Sequence, residues 1–177
     1  MAEPAENYTP VDIQLRYRAQ AIRVWAVTTT IVFVWALLIV VPAILAANGQ
    51  PGFASPLYAF FSAICHQIED RTFHIAGHPF AVCSRCFGVY FGLFVGLVIY
   101  PVWRKIDDIE PLPRKWLILS IVPMGIDWSL TIFNIWENTF TTRFITGLIL
   151  GVACATYIIP ALVEIFRNFT FLRRSKA

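Results

Sequence analysis

A chain of 177 residues would ordinarily make one soluble domain, but 58% hydrophobic residues against 14% charged ones, with a mean hydropathy of +0.65, exclude that class. The net charge of +3 is small, and the basic residues border apolar runs instead of lining a groove, so nucleic-acid binding has no support. What remains is an all-α, polytopic membrane protein whose first partner is the lipid bilayer.

Residues 1–23 read as a polar N-terminal arm. Four apolar stretches then approach or exceed the roughly 20 residues a helix needs to cross a bilayer: about 24–47, 82–100, 116–135 and 144–166, followed by a basic tail over 167–177. The first carries no charge and is longer than the apolar core of a signal peptide, so it reads as a retained anchor. Between the first two spans, residues 56–68 are predicted to form a short re-entrant or interfacial half-helix. Ser55 would be its N-cap and Pro56 its first residue, with Leu57, Phe60, Phe61, Ile64 and Ile68 at helical spacing.

Lysine and arginine set the expected orientation. Arg16, Arg18 and Arg23 precede the first span, Arg104, Lys105, Arg114 and Lys115 join the second to the third, and Arg167, Arg173, Arg174 and Lys176 follow the fourth. Only Arg71, Arg85 and Arg143 fall on the other side. The positive-inside rule therefore predicts a multi-pass protein of the plasma (inner) membrane with both termini cytoplasmic and the segment between spans one and two facing outward.

Gly88, Gly92 and Gly96 on the second span, and Gly147, Gly151 and Ala155 on the fourth, form small-residue stripes that let two helices approach closely. Extended outward, each stripe ends in an arginine, Arg85 or Arg143. Asp127, in the third span, is the acidic residue within reach of Arg85. One carboxylate cannot balance two guanidiniums, which leaves room for an anionic lipid or a small anionic ligand in a pocket of Arg85, Asp127 and Arg143. The simpler reading is an intramembrane ion pair that fixes helix registry while Arg143 snorkels to the headgroups.

The outward segment concentrates soft ligands. Cys83 and Cys86 share a helix face at the start of the second span, and Cys65 supplies a third sulfur. With His66, or His74 or His78 from the loop, these make a Cys3His set for zinc or another thiophilic metal, whose simplest role is structural: pinning the half-helix to the second span and roofing the pocket of Arg85, Asp127 and Arg143. The same atoms fit a quinone-linked thiol-disulfide oxidoreductase working through Cys83 and Cys86, or a structural disulfide with a spare thiol. A non-catalytic subunit of a larger membrane complex is a further reading, given so little extramembrane mass. Phe87 follows Cys86 where c-type haem attachment needs histidine, and Cys154 reads as a small residue within its span.

Cys65-His66-Gln67, Arg71-Thr72-Phe73, Gly77 and Cys83-x-Arg85-Cys86-x-Gly88-x-Tyr90-x-Gly92 resemble the signature of the family of small predicted membrane proteins called domain of unknown function twenty eighty-five. Asp127 and the run Arg143, Thr146, Gly147, Gly151 are similar to the rest of that pattern, and Trp128 and Thr131 stand where it has glycine and glutamine. The resemblance favours His66 over His74 and His78 and brings no activity with it. Adjacent helical side chains diverge by about 100°, so Cys65 and His66 meet one metal only if the half-helix unwinds there.

Overall fold

The computed structural model describes residues 11–175, a helical membrane protein with four helices long and apolar enough to cross a bilayer. Helix α1 is Val11–Ala47, α2 is Pro51–Ser62, α3 is Ser84–Trp103, α4 is Lys115–Ile132 and α5 is Phe140–Ser175. A two-stranded hairpin of β1, His74–Ile75, and β2, His78–Pro79, sits between α2 and α3. Ala76 and Gly77 at its tip both have positive φ, the conformation a tight two-residue hairpin turn requires.

Several boundaries differ from those expected. The arm predicted over 1–23 is helical from Val11 onward, and its first ten residues lie outside the described part. At 37 residues α1 is about 55 Å long, well beyond the hydrocarbon thickness, so its basic N-terminal turns lie past the lipid core. The half-helix starts at Pro51, not Pro56, and ends at Ser62, not residue 68. A C-terminal cap on α1 explains the early start: Gly49 at φ 73° lets the Gln50 N–H reach the Leu45 carbonyl and the Gly49 N–H reach that of Ala46. Pro51 then supplies the first helical position, and Ser55 and Pro56 fall inside the helix. The same capping device, built on Asn134 at φ 52°, stops α4 short of the predicted residue 135.

The most extensive contact is between α3 and α5. Gly88, Gly92, Gly96, Gly147 and Gly151 are buried in it, and a Cβ at Gly88 or Gly92 would run into the carbonyl oxygen of Phe144 or Leu148. Likewise, a Cβ at Gly147 or Gly151 would strike the carbonyl of Arg85 or Val89. Two backbones thus lie nearly in contact, an approach only glycine permits.

Helix α1 joins this seam, its Ala21 and Val24 packing in one cluster with Leu97 and Tyr100 of α3 and Ala155, Ile159 and Val163 of α5. Pro101 cannot donate to the carbonyl of Leu97, and the Trp25 indole N–H fills the gap at 2.8 Å. Helix α4 is peripheral: it packs on α5, and most of its surface is exposed apolar side chain.

Candidate metal centre

Where α2 ends, the chain turns back toward α3. Its last bonds run from the Ile64 and Cys65 N–H groups to the Phe61 carbonyl, after which residues 65–68 are not helical. Gln67, at φ 49°, holds this reversal with its side-chain amide, which donates 2.8 Å bonds to the carbonyls of Tyr58 on α2 and Ala81 before α3. The Ala81 N–H in turn donates to the Ile39 carbonyl of α1 at 2.9 Å. Four pieces of chain are thereby fixed around one point.

That point is sulfur. The Sγ atoms of Cys65, Cys83 and Cys86 all lie within 4.8 Å of one another. Tetrahedral zinc with Zn–S bonds near 2.3 Å needs sulfurs about 3.8 Å apart, so the donor set and its spacing fit a thiolate-bound metal. Cys83 is the N-cap of α3, and its backbone N–H points at Cys65 Sγ, 3.3 Å away. Hydrogen bonding from the Cys83 and Cys86 thiols, aided by that N–H, holds the Cys65 thiol below its ordinary pKa, against the opposing effect of burial. Beneath the sulfurs Phe61, Val82 and Trp35 form an apolar floor.

The histidines stand apart. His66 is exposed and lines the cavity beside the sulfurs without joining their cluster. His74 lies 3.9 Å from Glu69, and His78 sits on the far strand against Tyr58 and Pro79. Cys154 is on α5 and outside the cluster.

Adjoining the sulfurs is a cavity of about 480 Å³ lined by Cys65, Cys83, Cys86, Arg71, Arg85, Asn138 and Arg143, among others. Arg85 is hydrogen-bonded to Asp127 Oδ2, tying α3 to α4. Asn138 donates to the same carboxylate oxygen at 2.6 Å and to the Asp127 carbonyl at 2.7 Å. Among the described residues the Arg143 side chain donates to the Asn138 side-chain oxygen alone, at 3.4 Å. Sequence reasoning missed Arg71 and Asn138 as cavity residues. Arg71 sits in a 3-10 turn, Glu69–Arg71, and Asn138 in the short α4–α5 connection, positions whose direction no periodicity reveals.

The family described as predicted membrane protein (DUF2085) matches residues 65–157. An uncharacterised protein of Methanocaldococcus jannaschii is 45% identical over 115 residues, which is 64% of this chain and 73% of its own. Another, from Methanothermobacter thermautotrophicus, is 34% identical over 97 residues, covering 54% of this chain and 84% of its own. No solved structure matches. The match spans the cavity residues from Cys65 to Arg143, the sulfur cluster and the glycine seam together, and on it the chain belongs to the DUF2085 family of predicted membrane proteins.

Proposed function

We propose that this protein holds a divalent thiophilic metal, zinc, through Cys65, Cys83 and Cys86 at one border of the membrane. The observation that carries this reading is the convergence, within 4.8 Å, of three sulfurs from two separate pieces of chain. Zinc sites that serve only structure usually close with four protein ligands, whereas sites that handle a ligand keep one position open. Three cysteines facing a cavity correspond to the second arrangement. His66 then acts from the cavity wall, as a group that can carry a proton or bond to whatever fills the open position. By the charge distribution of the loops, the centre faces away from the cytoplasm of a plasma (inner) membrane.

Elemental analysis of the detergent-purified chain tests this directly, with alkylatable thiols counted before and after a chelator. The expected result is about one zinc per chain and three thiols that become reactive only on chelation. Metal-free protein in which two thiols appear only after a reductant would overturn the proposal in favour of disulfide exchange at Cys83 and Cys86.

A further inference from the structure

The cavity beside the sulfurs has two unlike halves. One half is polar and little exposed: Cys65, a residue 6% exposed, lines it with Arg85, whose side chain is 22% exposed and is paired with the Asp127 carboxylate behind it, 10% exposed. Its rim is apolar: Ile64, Ile68, Trp128 and Ile132 all line it and are 43–58% exposed. Trp128 and Ile132 are one turn apart on α4, the helix with the least cover, so the rim is continuous with the lipid-facing surface of the bundle. A water-soluble ligand has no use for such a rim, and a purely apolar one would leave the arginines unmatched.

Charge narrows the ligand further. Among the described residues neither Arg71 nor Arg143 forms an ion pair, and Asp127 is already engaged by Arg85 and Asn138. Three thiolates with a divalent ion sum to one negative charge, and the Arg85–Asp127 pair is neutral. Arg71 and Arg143 then leave one positive charge unmatched. A dianion would overshoot that charge; a carboxylate or a phosphodiester matches it.

On this basis the geometry points to a binding site for an amphiphile with a single anionic group, held head-first between the open metal position and Arg71 and Arg143, with its apolar part against Ile64, Ile68, Trp128 and Ile132. The inference rests on the metal centre proposed above, which supplies one of the two contacts to the head. Both arginines contribute charge-assisted hydrogen bonds to the oxyanion, and the lipid-facing rim admits the tail from the bilayer side.

The test is calorimetric titration of the zinc-loaded full chain in nonionic detergent with three probes: dihexanoyl phosphatidylglycerol, its phosphatidylcholine counterpart, and dimethyl phosphate. Phosphatidylglycerol is expected to bind about tenfold or more tighter than either other probe, the worth of one charge-assisted bond. Arg71→Gln and Arg143→Gln should each weaken it about tenfold with zinc content unchanged, and Arg143→Lys should recover much of the loss. Equal binding of the two lipids, or indifference to both glutamine substitutions, overturns the site. Dimethyl phosphate binding as tightly as phosphatidylglycerol overturns the amphiphile and leaves a soluble anion as the ligand. Zinc measured on the same samples separates the two readings. Zinc-free protein defeats the centre and this inference together, whereas zinc-loaded protein blind to headgroup charge defeats only the inference.

Discussion

Among individual side chains, the sulfurs and the buried ion pair behave differently under substitution. Cys83 stands at the N-cap of α3 with its sulfur in the cluster, whereas Cys154 lies elsewhere on α5. Cys83→Ser is therefore expected to abolish stoichiometric zinc in the purified chain, and Cys154→Ser to leave it unchanged, as metal analysis would read. Asp127 is the carboxylate held by Arg85, and both side chains are largely buried. Removing one member strands the other charge, so Asp127→Asn should cost about 3–5 kcal/mol, visible as a large drop in thermal stability in detergent. The cysteines, Arg85 and Asp127 were all legible in the sequence, because charge and sulfur within or beside an apolar span have few bland explanations. His66 was legible only as a neighbour of Cys65, and adjacency along the chain does not fix where a side chain points once the helix has ended.

Helix by helix, the seams carry the testable content. Gly92 faces the Leu148 carbonyl so closely that Gly92→Ala must push α3 and α5 apart, at an expected cost of about 1–3 kcal/mol in unfolding experiments. Gly125, on α4, has open space where its Cβ would go, so Gly125→Ala should be neutral or stabilise by up to about 1 kcal/mol. The bond from Trp25 to the Leu97 carbonyl exists because Pro101 leaves that oxygen without a helical donor. Trp25→Phe should cost about 1 kcal/mol, and much less in a Pro101→Ala background where the helix supplies its own N–H; a double-mutant cycle measures the difference. Glycine spacing announced the α3–α5 seam before any coordinates, since small residues one turn apart have a packing meaning inside a membrane. The half-helix was misplaced because two prolines, Pro51 and Pro56, offer equally good first positions. The Gly49 cap on α1 decides between them.

For the molecule as a whole, the distribution of lysine and arginine carries a prediction about orientation. The positive-inside rule predicts cytoplasmic termini, and on that topology a membrane-impermeant maleimide added to intact cells should label Cys83 after zinc is chelated, in a Cys154→Ser background. Labelling that appears only once cells are broken would reverse the topology. Membership of the membrane, the four spans and the outlying sulfur-rich segment followed from the sequence by itself, because the bilayer imposes long apolar runs and makes every exception costly. The meeting of Cys65 with Cys83 and Cys86 was expected from the sequence, whereas that Arg71 and Asn138 face one cavity with them, and that His66 stands outside the sulfur cluster, were decided only by the tertiary structure. Each depends on how short non-helical segments reverse direction, and such reversals are fixed by single hydrogen bonds across distant parts of the chain, such as those of Gln67, and not by any local periodicity.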